Sequence, residues 1–450
     1  MKLFTRDKWF YKTFFSLTVM MALQNIITYS VNLADNIMIG GYNETQLSGV
    51  ALANQIQFLL QMIVVGIGGG MMVLISQYWG KRDIQSIRKI ISVGFMVGMS
   101  MALILWLVIF FFPEASLGVF TNDIGVITEG TKYIKIICFS YMFFTAVNIL
   151  LVSLRSVETV VIGFIISIST LIINVFLNYV LIFGNFGAPE LGARGAAIAT
   201  LTARVIEFVI MVVYVFFIDK KIQMRPKYFL NIDKQILKYY LRIGSPIILS
   251  DTLWGIAMAI QAVILGHMGA ETIAANSIAT TIFQIVTVVC YASGNASSVI
   301  VGKTIGEGRI EDVKLYAKTL QVLYLIIGLV SGLSLFLLKD FVIGVYNISE
   351  STKSLATMFT IVLSVTIIGT AYECSTLTGI VRGGGETKFV LYNDLIFMWL
   401  ISLPAAALAA FVFGMSPVVV FSCLKADQIL KCFVGYFKVN KGSWIRDIAI

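Results

Sequence analysis

The chain has 450 residues, of which 58% are hydrophobic and only 13% are charged. A soluble domain averages about 25% charged residues, and the mean hydropathy of this chain is +0.90. These values exclude a soluble globular protein and indicate an integral membrane protein.

Loops marked by charged residues, Gly or Pro divide the sequence into twelve apolar segments. A helical membrane span needs roughly 20 apolar residues, and every segment reaches that length. We therefore predict an all-α polytopic membrane protein. Its twelve spans are predicted near residues 13–40, 46–79, 88–113, 129–153, 160–185, 192–218, 238–265, 272–301, 313–338, 353–380, 388–412 and 415–437.

The Lys and Arg residues are distributed unevenly between the two ends of these spans. Of the 33, 25 lie in the N-terminus, in the loops after even-numbered spans and in the C-terminal tail. Three lie within spans: Arg204, Lys425 and Lys431. The remaining five lie near the opposite side of the membrane and are Lys132, Lys135, Arg194, Lys339 and Lys353. This asymmetry follows the positive-inside rule and predicts a multi-pass protein of the cytoplasmic (inner) cell membrane with both termini cytoplasmic. Because the net charge of +9 sets orientation, no nucleic-acid partner is expected.

The first span carries an acid, Asp35, in a run that is otherwise apolar enough to cross a bilayer. An ionisable side chain at that depth is costly unless it meets a partner, a water-filled cavity or a proton. Steps of three and four residues back from Asp35 reach polar residues on the same helix face. They are Asn32, Thr28, Asn25 and Thr18. The pattern predicts a polar stripe that ends in a carboxylate.

Two further spans of the first half carry amide side chains. Gln57 and Gln61 follow Asn54 at helical spacing in the second span, and Asn148 lies in the fourth. Polar stripes in lipid normally face a wet cavity or another helix. We predict that Gln57, Gln61 and Asn148, together with Asn32 of the first span, line a substrate cavity.

The fifth and sixth spans supply neutral oxygens at the level of Asp35. Asn174 and Asn178 are one turn apart in the fifth span, and Thr200 lies in the sixth. At 1.5 Å per residue, Asp35, Asn178 and Thr200 all lie roughly 8–12 Å from the presumed outer ends of their helices. One acid with several neutral oxygens at one depth predicts a site for a cation or a proton. We therefore predict cation coupling at Asp35, Asn174, Asn178 and Thr200, with Na⁺ held by the acid and the two amides.

Arg204 lies one turn deeper than Thr200 in the sixth span. Its guanidinium is expected to pair with Glu207 on the same face, or with Asp35 in one conformation. Arg204 is also a candidate for the substrate cavity.

The sequence repeats itself at an offset of 226 residues, which aligns 37–80 with 263–306 without a gap. Identical pairs include Gly40 with Gly266 and Gly80 with Gly306. Such repeats indicate two halves with the same orientation. We predict an N-terminal six-helix lobe at residues 1–218, a cytoplasmic connector at 219–242 and a C-terminal six-helix lobe with a cytoplasmic tail at 243–450. The connector is expected to be an amphipathic helix at the membrane surface.

The second half repeats the plan with different charges. Gln261 in the seventh span is the repeat counterpart of Asp35, so ion coupling is expected to belong to the first half. Asp394 is expected either to serve inside the eleventh span or to reach the cytoplasmic interface. The cavity candidates of this half are Asp251, Trp254, Gln261, Gln284 and Glu373.

The residue types needed for catalysis are sparse. His267 is the single histidine, and the five cysteines lie in apolar segments at spacings that predict no metal site. An enzyme needs a nucleophile with a base or a set of metal ligands. We predict a protein that is not an enzyme and has no cofactor apart from a coupling ion.

Several longer stretches together resemble the multidrug and toxic compound extrusion (MATE) family over nearly the whole chain. They are ADNIMIGGYNETQLSGVALANQI, LRSVET, INVFLNYVLIFGNFGAPELGARGAAIAT, ILGHMGAETIAANSIA, GIVRGGGETKF and DLIFMWLISLP. The resemblance implies twelve helices in two pseudo-symmetric six-helix lobes that form an outward-open V. It implies a monomeric secondary transporter that exports organic cations or other amphiphilic drugs by alternating access, in exchange for Na⁺ or H⁺.

By position, Asp35 matches the family's first-span acid, and Asn174 and Asn178 match its N-lobe pair. Thr200 lies near the sixth-span threonine of that site, and Thr202 is the other candidate.

The chain also departs from the family pattern. Trp254 stands where one branch of the family has a seventh-span glutamate. Ala371, two residues before Glu373, stands near the position where that branch has a tenth-span aspartate. The first span has no proline, so bending at a proline there is not available. These departures leave Na⁺ or H⁺ open and favour the DinF-type pattern over the NorM-type.

Two other function classes were weighed against transport of drugs. A related flippase for lipid-linked precursors would share the two-lobed plan, but such proteins often have two more spans and several cavity arginines. A channel would need a continuous selectivity element, and none is visible in the sequence.

Overall fold

The computed structural model describes residues 4–229, 232–346 and 348–449. Within these residues the chain forms seventeen α-helices and no strand. The helices are α1 Lys8–Gly40, α2 Glu44–Gly80, α3 Ile84–Phe111, α4 Pro113–Gly118, α5 Ile124–Ile137, α6 Ser140–Ser156, α7 Val161–Phe183, α8 Ala193–Val213, α9 Pro226–Phe229, α10 Lys234–Gly266, α11 Ala270–Gly306, α12 Ile310–Val345, α13 Glu350–Cys374, α14 Thr387–Asp394, α15 Leu403–Ala407, α16 Pro417–Lys425 and α17 Asp427–Lys441.

Each predicted span coincides with a helix or a run of consecutive helices. In the described chain ten runs are long and apolar enough to cross a membrane, and α5 with α6 makes an eleventh that is bent. The predicted twelfth span is divided between α16 and α17. Three runs contain wider π-type turns, at Tyr214–Ile218, Ser375–Arg382, Leu395–Ser402 and Leu408–Val412; the last two lie in the same run.

The fourth span departs from the straight helix expected at 129–153. α5 and α6 meet at an angle of 53°. The break falls at Cys138 and Phe139, where the sequence has neither the proline nor the glycine that usually marks a kink. Hydropathy alone therefore gave no signal for it.

The connector is not the continuous amphipathic helix expected at 219–242. Asp219 accepts hydrogen bonds from the backbone N–H groups of Lys221, Ile222 and Gln223 at 3.3, 2.8 and 3.0 Å. This local turn competes with helix formation, and Pro226 disfavours helix in the residue before it. Among the connector residues that the structure describes, only the four-residue helix α9 and the first turns of α10 are helical. Leu230 and Asn231 of the predicted connector lie outside the described residues.

Helix boundaries follow ordinary capping chemistry. Asp123 caps α5 by accepting from the backbone N–H groups of Gly125 and Val126, as expected for an acid at this position. α7 ends at Gly184, whose φ of 71° places it in the left-handed region that glycine adopts without strain. That turn directs the chain back into α8, so α7 and α8 become neighbours.

The described chain divides into two compact units. The Asp35 unit contains Leu23–Met71 and Ile84–Ile248, and the C-terminal unit contains Met1–Ala22, Met72–Asp83 and Leu249–Ile450. α1, α2 and α10 each contribute residues to both units. The division into lobes at the connector stays a prediction.

Each unit has its own apolar core. In the Asp35 unit, buried residues of α2, α3, α5, α6 and α8 pack together, among them Leu60, Ile134 and Tyr141. In the C-terminal unit the corresponding cluster includes Phe359 and Phe421, whose rings stack with centroids 4.2 Å apart. These cores hold the polar side chains described below at fixed positions.

Candidate functional site

Asp35 lies near the end of α1, where its carboxylate meets side chains of α7 and α8. Asn178 Nδ2 donates to Asp35 Oδ1 and also to Asn174 Oδ1, at 3.1 Å in the second case. Asn174 Nδ2 donates to Thr200 Oγ1 at 3.1 Å, and Thr200 Oγ1 donates to Asp35 Oδ2 at 3.4 Å. The four contacts close a circle, which we call the Asp35 ring. The structure thus brings together all four residues of the predicted cation site.

Helix periodicity explains how the ring is built. Asn174 and Asn178 are four residues apart on α7, so their amides stack on one face, and both are fully buried. Asp35 and Thr200 are partly exposed. The ring therefore has a fully buried amide side and a partly exposed side.

The chemistry of the ring suits a monovalent cation or a proton. One carboxylate, two amides and one hydroxyl supply oxygens, the ligands preferred by hard cations. Asn178 Oδ1 is buried without a hydrogen-bond partner. If the Asn178 amide turned over, its oxygen would face the Asp35 carboxylate, and these two acceptors tolerate each other only with a cation or proton between them. No group of three His, Cys, Asp or Glu side chains that could hold a metal is present among the described residues.

Thr200, and not Thr202, contributes to the ring. The Thr202 hydroxyl donates to the Ile198 carbonyl oxygen of its own helix at 2.8 Å. Two residues along a helix point about 200° apart, so the two threonines could not both face Asp35.

Arg204 pairs with Glu207, the first of the two partners considered from the sequence. Arg204 Nη1 lies 2.7 Å from Glu207 Oε2, and its guanidinium lies over the Phe144 ring at 5.1 Å from the centroid. The ion pair is mostly buried, so its charges are satisfied locally. Asp35 is therefore left to the amides and the hydroxyl of the ring.

The other polar candidates of the first half are not part of the ring. Asn32 is exposed, Gln57 and Gln61 are half-buried, and Gln57 Oε1 is buried without a hydrogen-bond partner. Asn148 Nδ2 donates to the Phe144 carbonyl oxygen of its own helix at 2.8 Å. Their assignment to a substrate cavity stays a prediction.

In the C-terminal unit, Asp251 is held by an arginine that is distant in sequence. Arg382 Nη2 lies 2.8 Å from Asp251 Oδ1, and Arg382 Nη1 donates to Asp251 Oδ2 at 3.3 Å. Both side chains are largely buried. The bidentate pair neutralises Asp251 within its own unit.

A second buried network surrounds Asp394. Ser250 Oγ donates to Asp394 Oδ2 at 2.6 Å, and Lys431 Nζ lies 3.0 Å from Asp394 Oδ1. Lys431 also lies 3.1 Å from Asp427 Oδ2. Asp394 is therefore paired with side chains of its own unit, and its position relative to the cytoplasmic interface stays a prediction. Glu373 lies half-buried on α13.

Gln261 meets a buried lysine. Lys425 Nζ donates to Gln261 Oε1 at 3.0 Å, and its ammonium lies over the Phe421 ring at 5.6 Å from the centroid. The remaining candidates of this half differ in exposure: Trp254 is half-buried and Gln284 is exposed.

Sequence reasoning did not assign roles to Arg382, Lys425, Lys431 or Asp427. Lys425 and Lys431 stood out as basic residues within a span, and that position was the available signal for an intramembrane partner. Arg382 could not be linked to Asp251 by helix periodicity, because the two residues are 131 positions apart. The π-type turns at Ser375–Arg382 extend α13 and carry Arg382 into the bundle.

Taken together, a bundle of membrane-spanning helices with one intramembrane acid held by amides and a hydroxyl defines a multi-pass membrane transporter. The family model described as MatE matches residues 21–180 and 246–408. These two matches cover more than half of the chain, and the chain belongs to the MatE family. The resemblance noted in the sequence is confirmed.

Curated relatives match along almost the full length. The chain is 25% identical to "Probable multidrug resistance protein NorM" of Thermotoga maritima, over 94% of this chain and 90% of that protein. It is also 25% identical to "Uncharacterized transporter YisQ" of Bacillus subtilis, over 97% of this chain and 96% of that protein. The branch within the family stays a prediction.

Solved structures share the fold. A crystal structure described as MATE in the bent conformation superposes with a TM-score of 0.86 at 17% identity, over 96% of this chain and 95% of that one. The twelve-helix fold with two six-helix lobes is confirmed by this likeness.

Proposed function

We propose that the chain is a secondary active exporter that exchanges Na⁺ or H⁺ for organic cations or other amphiphilic compounds. Family membership supports export, and the names of curated relatives such as "Multidrug resistance protein MdtK" of Pectobacterium atrosepticum support drugs as the cargo. The protein acts as a monomer in the cytoplasmic membrane, with both termini and the connector on the cytoplasmic side. It needs no cofactor besides the coupling ion, and it is not an enzyme.

The Asp35 ring is the observation that carries the coupling mechanism. Exchange requires that ion and drug bias one two-state equilibrium in opposite directions. A carboxylate in a low-dielectric site is costly when bare and stable when a cation or proton neutralises it. Because the ring draws one oxygen set from three helices, any relative movement of α1, α7 and α8 changes how many oxygens reach the ion. The ion-loaded and ion-free proteins therefore prefer different arrangements of these helices.

The test is dye efflux from proteoliposomes with Na⁺ and H⁺ gradients imposed separately. Asp35→Asn mimics the neutralised acid at nearly constant volume, so the protein should insert, fold and bind dye, yet its gradient-driven efflux should fall to the leak rate. Asp35→Glu moves the charge by about one methylene and should retain partial activity. Asp340→Asn is the matched control, because Asp340 is an exposed acid paired with the adjacent Lys339. Wild-type efflux by Asp35→Asn at equal protein levels would refute the coupling role of the ring.

The flippase alternative is not favoured. The described part of the C-terminal unit pairs its buried Arg382 with Asp251, and Arg204 is paired with Glu207. Neither guanidinium is free to hold the phosphates of a lipid-linked precursor.

A further inference from the structure

The C-terminal segment folds back against its own unit after α17 ends. The reversal occurs at Gly442, whose φ is 72°. Trp444 is then fully buried, and its Nε1 donates to the Val439 carbonyl oxygen at 2.9 Å. A Cβ placed on Gly384 would lie only 2.3 Å from the Trp444 ring. The indole thus fills a space that exists because residue 384 is glycine.

The residues after Trp444 are bound on one side to the loop that precedes α14. The backbone N–H of Arg446 donates to the Gly384 carbonyl oxygen at 2.9 Å. The Arg446 guanidinium forms an ion pair with Glu386, whose carboxylate is largely buried. These contacts connect the segment to the start of α14.

On its other side the segment is held by the end of α2. Gln77 is fully buried, and its amide Nε2 donates to the Arg446 carbonyl oxygen at 2.9 Å while its Oε1 accepts from the Ile448 N–H at 2.8 Å. One side chain thereby makes the two hydrogen bonds that a neighbouring strand would make. Lys81 Nζ lies 3.0 Å from Asp447 Oδ2 and also donates to the Ala449 carbonyl oxygen.

This end of α2 is in direct backbone contact with its repeat counterpart, α11. A Cβ on Gly80 would lie 2.1 Å from the Lys303 carbonyl oxygen, and one on Gly306 would lie 2.0 Å from the Gln77 carbonyl oxygen. Gly80 and Gly306 are the pair that the 226-residue offset aligns. Gln77 therefore joins two contacts, because its backbone touches α11 while its side chain holds the C-terminal segment.

We propose that Trp444–Ala449 is a latch that fastens the predicted cytoplasmic ends of α2 and α11 in their closed arrangement. The inference takes alternating access from the proposed function: opening toward the cytoplasm requires that repeat-related helices separate at this end. The latch bonds the end of α2 and the loop before α14 at the same time. That loop packs on α11, because a Cβ placed on Gly383 would lie 2.8 Å from the Ser298 Cα. Separation of α2 from α11 therefore breaks the contacts of the latch. Latch contacts that exist in the closed arrangement and are lost on opening stabilise the closed arrangement.

The reporter for opening is Ser76→Cys. Ser76 is fully buried in α2, and its Cβ would lie 2.7 Å from a Cβ placed on Gly302 of α11. A membrane-impermeant maleimide reaches position 76 only when the two helices separate. The labelling rate is measured in inverted vesicles, with the signal of the five native cysteines subtracted by using the parent chain.

Weakening the latch should raise the labelling rate of the Ser76→Cys reporter. Trp444→Ala and a truncation after Ser443 remove the buried indole, and each should increase the rate at least ten-fold. Ser443→Ala is the control, because Ser443 is exposed and adjacent to the latch; its rate should match that of the reporter chain alone. Equal labelling of the truncated and full-length reporter chains would overturn the latch.

A milder pair of variants guards against misfolding. Lys81 and Asp447 are partly exposed, so charge reversal there is tolerated by the fold. Lys81→Asp should raise labelling by up to about five-fold, the ceiling for an exposed ion pair worth about 1 kcal/mol. Adding Asp447→Lys should lower the rate again, although not fully, because the hydrogen bond from Lys81 to the Ala449 carbonyl oxygen is not recovered. A double variant that labels as fast as Lys81→Asp alone would contradict the proposal.

Labelling needs neither an ion gradient nor a drug, so its outcome is independent of the efflux assay. If the protein fails to export dye but shows the labelling response, the latch is supported and the proposed function is refuted. If the protein exports dye but the latch variants do not change the labelling rate, the latch is refuted and the proposed function is supported.

Discussion

Asp35 has the only carboxylate in a ring whose other three members are neutral. That composition limits the site to one compensating positive charge, since a second cation would meet no further acid there. The fully buried amides of Asn174 and Asn178 fix the carboxylate from α7, while Thr200 reaches it from α8 at the longest distance in the ring, 3.4 Å. Thr200 is thus the member whose removal disturbs the rest least.

Thr200→Val should weaken ion coupling without abolishing it. The change deletes one oxygen at nearly constant shape, and a hydrogen bond is worth about 0.5–1.5 kcal/mol net, so the ion concentration for half-maximal efflux should rise roughly two- to ten-fold. Thr202→Val is the matched control, because its hydroxyl bonds only within α8. An unchanged ion dependence in Thr200→Val, or an equal change in both variants, would contradict the geometry of the ring.

The ring could be predicted from the sequence because its residues share a depth and a helix face. Depth follows from helix rise, and both asparagines lie on one face by periodicity. The choice between Thr200 and Thr202 could not be made, because it depends on the rotation of α8 against α1. The pairing of Asp251 with Arg382 was also beyond periodicity, since it joins separate helices of one unit.

Asp251→Asn should destabilise the protein, since Arg382 would be left as an uncompensated buried charge. Breaking one partner of such a pair costs about 3–5 kcal/mol, whereas replacing both is often nearly neutral. Asp251→Asn should therefore lower the unfolding midpoint in detergent, and Asp251→Asn with Arg382→Gln should recover most of it. Equal stability of the single variant and the parent would show that this pair is not what holds Arg382 in place.

At the scale of whole helices, hydropathy located all twelve spans but not their irregularities. The spans can be located because each residue adds its own hydropathy to the average of its segment, independently of its neighbours. The 53° break between α5 and α6 and the turns around Asp219 depend instead on specific local contacts. Such contacts leave little trace in a pattern averaged over a span.

The crossing of α2 and α11 depends on the absence of side chains at Gly80 and Gly306. A methyl group at Gly80 would overlap a backbone oxygen, and backbone cannot move aside as a flexible side chain can. Gly80→Ala should thus destabilise the protein by about 1–3 kcal/mol through overpacking, read as a lower unfolding midpoint in detergent. Gly118→Ala is the control, since nothing lies within 4 Å of a Cβ there. Equal effects of the two changes would mean that the crossing is not close-packed.

For the molecule as a whole, the two halves repeat one plan with opposite charge. Where the first half places Asp35 against neutral groups, the second places the neutral Gln261 against the ammonium of Lys425. Because the Lys425 ammonium already supplies a positive charge beside Gln261, the second half does not need a coupling ion from solution at this position. This difference is consistent with ion coupling in the first half alone.

Charge asymmetry also predicts the orientation of the whole molecule in the membrane. Seven of the basic residues lie in the connector region 219–242. This region contacts the start of α3, where Arg88 Nε donates to the Ile222 carbonyl oxygen at 2.8 Å. The Lys89 ammonium lies 3.0 Å from the Asp233 carboxylate and lowers the pKa of that carboxyl. The connector and the start of α3 are therefore expected on the same side of the membrane, and the positive-inside rule predicts that this side is cytoplasmic.

Lys227→Cys tests this orientation, because Lys227 is exposed on α9. A membrane-impermeant maleimide should modify it in inverted vesicles and leave it unmodified in intact cells. Val119→Cys should show the reverse, since Val119 is exposed in the loop between the third and fourth spans. The parent chain supplies the background of its five cysteines. Modification of Lys227→Cys from outside intact cells would invert the topology and would place the Asp35 ring near the cytoplasmic end of its helices, so that the coupling ion would enter from the opposite side.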